Sequence, residues 1–155
     1  MDIAELLAED GIVLRSGASS KRQALQVVAE TAASAMGLDS ARVMDALLER
    51  EALGATGLGS GVAVPHARID GLARVFGVFV RLDTPVAYGS VDDRPVDLMF
   101  ALFAPPRDGA DHLRALAAVS RAMRSPELRE SLRRAHTVDA AHALFVTDNV
   151  PATAA

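Results

Sequence analysis

Two apolar runs near the middle of the chain, Val75–Leu82 and Val96–Phe103, restrict its fold more than any other feature. Each is close to continuously hydrophobic, the pattern of a strand covered on both faces; a strand with one wet face would alternate apolar and polar residues. Helical periodicity stands before and after them. Helices early, strands in the middle and helices late imply an α/β class: a mixed sheet with helices on its faces. A length of 155 residues suffices for one domain, which at this size buries about two-thirds of its unfolded surface. The expected domain covers residues 1–147, and residues 148–155 have so little to bury that they are expected to fray.

Local signals place the other elements. Asp2–Leu7 reads as a short helix and Ile12–Leu14 as a strand. Ser20-Lys-Arg-Gln23 is a capping-box pattern opening a helix with Leu25, Val28, Ala29, Ala32 and Met36 on one face, and Gly37 is a natural stop. A second helix begins near Asp39, buries Val43, Met44 and Leu47, and ends at Gly54. A short strand is expected at Gly61–Val64, and Ala104–Gly109 is a turn by its Pro-Pro and Asp-Gly content. Asp111 is the expected cap of a helix whose stripe is Leu113, Leu116, Ala117, Ser120 and Met123. Ser125-Pro126-Glu127 opens another helix, and Thr137 caps a last one to about Phe145. No internal repeat, low-complexity tract or linker is present.

Composition excludes several functions. Half the residues are apolar but only 4% are aromatic, so the core is built from Ala, Val and Leu. No apolar run approaches the roughly 18–20 residues of a membrane span, and the acidic start MDIAELLAED is not a signal peptide. Membrane insertion is therefore not expected. The chain has no cysteine, which removes disulfides, thiolate metal sites and cysteine nucleophiles and fits a reducing compartment. A formal net charge of −4 argues against nucleic-acid binding, because phosphate backbones are held by clustered Lys and Arg. Lys21 is the only lysine; every other cation is an arginine.

The residues that suggest chemistry are Gly61-Val-Ala-Val-Pro-His66, reached through the loop Gly54-Ala-Thr-Gly-Leu-Gly-Ser-Gly61. Pro65 cannot donate a ladder hydrogen bond, so it is expected to end pairing and stiffen the backbone just before His66. Neutral imidazole is a nucleophile, and its free pKa lies near working pH. The loop lacks the Gly-Lys-Ser/Thr of a Walker A motif. It also follows a helix and enters a strand, opposite to the order of a dinucleotide fingerprint. What remains is a flexible nest of N–H groups suited to an anion, with Thr56, Gly57 and Ser60 as candidate phosphate-binding residues. A hydrolase using Ser60 with His66 as base lacks the Gly-x-Ser-x-Gly elbow. A zinc site on His66 and His112 would be under-ligated, so no metal is expected. The arginines at 121, 124, 129, 133 and 134 read most simply as a solvated face.

Taken together, Arg50-Glu51, Gly54-Ala-Thr-Gly57, Gly61-Val-Ala-Val-Pro-His-Ala-Arg68, Phe76-Gly-Val-Phe-Val-Arg81, Asp92-Asp-Arg-Pro-Val-Asp97 and Asp111-His112-Leu113 carry a resemblance. They resemble the fructose/mannitol-type IIA proteins of the phosphoenolpyruvate-dependent phosphotransferase system, most closely the nitrogen-regulatory branch. The resemblance runs from the Ser20-Lys21 helix start to the helix at Ser125. It implies a three-layer α/β/α sandwich, and a phosphohistidine at His66 formed at Nε2, with His112 as a second active-site histidine and Arg50 as the phosphate-neutralising cation. Arg68 stands where relatives of that branch often carry a basic residue and is a further candidate for phosphate or donor contact. Ala67 stands where the family often has glycine, a mild departure. The implied partners are a phosphorylated HPr-like (NPr-like) donor protein and regulated target proteins, with a IIB domain if the role is sugar uptake. The implied location is cytoplasmic, and no cofactor is called for.

Overall fold

The computed structural model describes residues 2–107 and 109–148. In chain order the elements are α1 (Ile3–Leu6), β1 (Leu7–Ser16), α2 (Lys21–Met36), α3 (Ser40–Leu53), β2 (Gly57–Gly59), β3 (Val62–Ala63), β4 (His66–Arg68), β5 (Phe76–Val86), β6 (Val96–Ala104), α4 (Ala110–Ala122), α5 (Pro126–Arg134) and α6 (Val138–Asp148). The two apolar runs are β5 and β6, paired antiparallel with Phe79 opposite Phe100. Beyond them β1 lies parallel to β5, β3 and β4 lie parallel to β6, and β2 closes the far edge antiparallel to β3. The sheet is mixed.

Strand pleat sorts the core into two layers. Phe76, Val78, Val80, Met99, Ala101 and Phe103 face α2 and α3, joining Leu25, Val28, Val43 and Leu47. Phe79, Leu98, Phe100 and Leu102 face the other helices, joining Ile3, Val119, Leu132 and Phe145. Phe145 packs edge-on against both Phe79 and Phe100, each at 5.3 Å between ring centroids. A helix layer on each face makes the three-layer α/β/α sandwich.

Several local expectations needed correction. Strand β1 is much longer than Ile12–Leu14, because pairing with β5 recruits its neighbours through a register shift between Leu7 and Ile12. Asp10 sits at φ 61 within that irregularity, the behaviour of a bulge. Gln23 Oε1 reaches back to the amide of Ser19, not Ser20, while Ser20 Oγ accepts from Gln23 N as expected. Asp111 does not cap α4. The helix starts at Ala110, with Gly109 at the cap position and no side-chain cap bond. Its buried face is His112, Ala115, Val119 and Ala122, rotated from the leucine stripe. Alanines let the helix lie close on the sheet, and Leu113 is turned outward. The tail expected to fray lies outside the described residues from 149 on.

Pro65 does not end pairing. It separates β3 from β4, yet both run along β6, and Pro65 O still accepts from Leu102 N at 2.9 Å. Proline lacks only the donor, so its carbonyl keeps the ladder continuous. His66 therefore opens a second short strand instead of hanging from the end of the first.

Candidate functional site

His66 stands where the two helix layers meet at the sheet edge. Arg50 comes from the last turn of α3 on one face, and His112 from the first turn of α4 on the other. These three side chains line one open pocket of about 620 Å³, together with Glu49, Leu53, Ala67, Arg68, Leu113 and neighbours. Leu53 and Leu113 are 84% and 67% exposed, so the pocket mouth has an apolar rim around a cationic interior.

The imidazole of His66 is held at both nitrogens. Nδ1 lies 3.0 Å from Val64 O; a carbonyl only accepts, so Nδ1 carries the hydrogen. Arg50 Nε–H donates to Nε2 at 3.1 Å, which assigns the lone pair to Nε2. Arg50 Nη1 is tied in turn to Gly54 O at 2.9 Å. Burial holds the His66 pKa below its ordinary 6.5. The Val64 hydrogen bond opposes the shift, the Arg50 charge adds to it, Glu51 opposes it and Arg68 adds to it. The ring is thus neutral at neutral pH, as a nitrogen nucleophile must be. His112, buried with only 5% of its surface exposed, stands edge-on to it at 5.6 Å between centroids and 76° between planes.

The remaining predicted residues divide. Arg68 lines the pocket, with Nη1 donating to Pro105 O and Pro106 O at 3.4 and 3.3 Å. Thr56, Gly57 and Ser60 are not among its lining residues. The Thr56 amide donates to Glu51 Oε2 at 3.2 Å and its hydroxyl donates to Glu51 Oε1. Ser60 N donates to Asp92 Oδ2 at 2.9 Å. The loop does present N–H groups to anions, but the anions are the chain's own carboxylates. The amides of Ser60 and Arg94 accordingly hold the Asp92 carboxyl below the usual carboxylate range. Gly57 is pressed against Ser90, a packing reason for glycine there. His136 and His142 are exposed and apart from the pocket. Among the described residues no three His, Asp or Glu side chains gather as a metal site.

Two residues with several partners carry no role in the motif reading, Glu51 beside the site and Arg81 away from it. Glu51 binds Lys21, Thr56 and Tyr88. Arg81 donates from β5 to the carbonyls of Leu132, Arg133 and Ala135 at the end of α5, and to Leu14 O. Most of these partners lie more than thirty residues away, beyond the reach of local patterns.

Comparison with known proteins gives the family. The family model described as "Phosphoenolpyruvate-dependent sugar phosphotransferase system, EIIA 2" matches residues 5–147. The chain belongs to this family. It is 42% identical to the nitrogen regulatory protein of Bradyrhizobium diazoefficiens over 155 residues, 100% of both chains. It is 32% identical to the fructose-specific EIIA component of Haloferax volcanii over 137 residues, 88% of this chain and 89% of that one. The crystal structure of the nitrogen regulatory protein IIA-Ntr from Neisseria meningitidis superposes with a TM-score of 0.86 at 33% identity, covering 92% of this chain and 98% of that one. This IIA chain is thus a phosphotransferase-system component similar over its whole length to a nitrogen regulatory protein. Among its described residues, no helix is long and apolar enough to cross a membrane.

Proposed function

We propose that this IIA chain is a cytoplasmic phosphohistidine carrier: His66 Nε2 accepts a phosphoryl group from a phosphorylated HPr-like (NPr-like) donor, and the protein then acts mainly as a metabolic regulator. The observation that carries the reading is the Nδ1–H tautomer of His66, fixed by Val64 O, with its other nitrogen facing an arginine across an open pocket. In the transfer the donor's N–P bond breaks as the Nε2–P bond forms, in line, with no proton required at Nε2. The hydrogen stays on Nδ1, donated to Val64 O, and that bond stabilises the positive charge the ring acquires.

Arg50 occupies the Nε2 lone pair in the unphosphorylated protein, so it moves from nitrogen to phosphate oxygens as the group arrives. Its planar fork suits those oxygens better than a point charge. His112 stands close enough to donate to the same anion, and Arg68 adds positive field at the pocket edge. Phosphoryl transfer depends on such positioning and charge neutralisation more than on covalent work by the protein. The apolar rim of Leu53 and Leu113 fits a protein donor better than a small free phosphate.

Regulation follows from charge. A phosphate adds roughly 1.5–2 negative charges, so a partner surface matched to neutral His66 meets a desolvated anion after transfer. Likeness to nitrogen regulatory proteins over the whole chain favours this role. The likeness to a fructose-specific component keeps sugar uptake, with onward transfer to a IIB domain, as the second reading.

Incubation with a labelled phosphohistidine donor should give an acid-labile label on wild type and none on His66→Ala. Label retained by His66→Ala counts against the assignment. Capture of partners by both phosphorylation states then separates the two roles, since transfer to a IIB cysteine would favour uptake.

A further inference from the structure

Beneath the pocket lies a polar cluster that this mechanism does not use. The Glu51 side chain is only 6% exposed, yet it gathers the Lys21 ammonium at 2.8 Å, the Tyr88 phenol at 3.0 Å, the Thr56 hydroxyl and the Thr56 amide at 3.2 Å. Lys21 also donates to Tyr88 O at 3.1 Å and sits 4.2 Å from the centre of the Tyr88 ring. A carboxylate so enclosed is tolerable only because its oxygens are met by a cation and several donors. Burial, then the Glu51 charge, push the Tyr88 phenol far above its ordinary range, so it stays a donor.

From this cluster hydrogen bonds run into the site through Thr56, and a backbone bond of Glu51 itself leads to Arg50. Thr56, held by Glu51 at both amide and hydroxyl, offers its carbonyl to Val64 N at 3.0 Å, and Val64 O accepts from His66 Nδ1. Between Glu51 and Thr56, Gly54 donates to Glu51 O at 3.1 Å and receives Arg50 Nη1 on its own carbonyl. The acceptor that orients the imidazole follows the amide tied to Thr56, and the one that meets the guanidinium, Gly54 O, lies in the span between Glu51 and Thr56 that the clasp closes.

We propose that Glu51 is a positioning residue for phosphoryl transfer: anchored by Lys21 and Tyr88, it clamps the 54–57 loop through Thr56 and thereby fixes the His66 tautomer and the seat of Arg50. This rests on the carrier reading above. Glu51 acts through other groups and touches no reacting atom. Its charge also reaches the ring, pulling the His66 pKa up against burial and against Arg50 and Arg68.

The test compares Glu51→Gln, Thr56→Val and Thr56→Ser in the full chain, each first shown to fold by circular dichroism. Two quantities are read: the His66 titration and tautomer by ¹⁵N NMR in the unphosphorylated protein, and transfer from a phosphohistidine donor. Displacing reacting groups by about 1 Å costs on the order of a hundredfold in rate. Glu51→Gln and Thr56→Val should therefore slow transfer roughly tenfold to a hundredfold at an unchanged donor KM. Glu51→Gln should also lower the His66 pKa further and mix the Nε2–H tautomer into the spectrum. Thr56→Ser, which keeps hydroxyl and amide, should stay close to wild type. If Glu51→Gln folds, transfers at the wild-type rate and leaves tautomer and titration unmoved, the positioning role is wrong while the carrier reading stands. If wild type itself takes no phosphate, the carrier reading falls and takes the positioning role with it.

Discussion

At the scale of single residues, the site is governed by how neighbours divide the two nitrogens of one imidazole. Val64 O accepts from Nδ1–H and Arg50 Nε–H donates to the Nε2 lone pair, while burial disfavours the charged ring. The native pKa is depressed, so between it and the unfolded value of 6.5 the unfolded chain binds more protons than the native one. Stability therefore rises with pH across that window and is lost as pH falls through it. Histidine-selective NMR should show His66 titrating below the ordinary 6.5, and His66→Gln should flatten this part of the stability–pH curve. A His66 titration at or above 6.5 would refute the burial argument. The pair Arg50 and His66 was legible from the motif, because both stand in matching sequence patterns. That Arg50 rests on the Nε2 lone pair was not legible, since it depends on how the end of α3 meets β4.

Among the elements, the glycine loop and the segment after β5 define each other. Asp92 takes the Ser60 amide, Tyr88 reaches Glu51, and Ser90 presses on Gly57. A Cβ on Gly57 would stand 2.9 Å from Ser90 Cβ and 3.0 Å from Ser90 Cα, so side-chain rotation alone cannot relieve it. Gly57→Ala should destabilise by about 1–3 kcal/mol, the usual cost of overpacking. Ser90→Gly in the same chain should recover part of the loss; thermal or denaturant unfolding of the single and double variants measures both. Full wild-type stability of Gly57→Ala would contradict the packing account. Sequence alone reads these glycines as an anion nest because their flexibility is a local property. The carboxylates that fill the nest come partly from residues about thirty positions later, which local pattern does not register. The capped helix starts at Ser20 and Ser125 were legible for the opposite reason: serine hydroxyl and amide partner lie three residues apart.

In the molecule as a whole, the two continuous apolar strands were enough to imply a sheet covered on both faces, and that is the fold. They could not disclose the order of the strands or the length of β1, which are set by pairing across the chain. That order matters for function. With β4 beside the end of β6, His66 lies at the seam where α3 on one face and α4 on the other both reach the sheet edge, so Arg50 and His112 approach it from opposite sides. The small alanines of α4 allow His112 to turn inward and Leu113 outward, making an apolar lip around the cationic pocket. The proposed carrier role needs every part of this arrangement to converge on a single atom. Donor phosphorylation of protein carrying ¹⁵N-labelled histidine tests it most directly. New phosphohistidine resonances are expected from His66 alone, with phosphorus on Nε2 and hydrogen retained on Nδ1. Phosphate on Nδ1, or on His112, His136 or His142 while His66 stays unmodified, would contradict it.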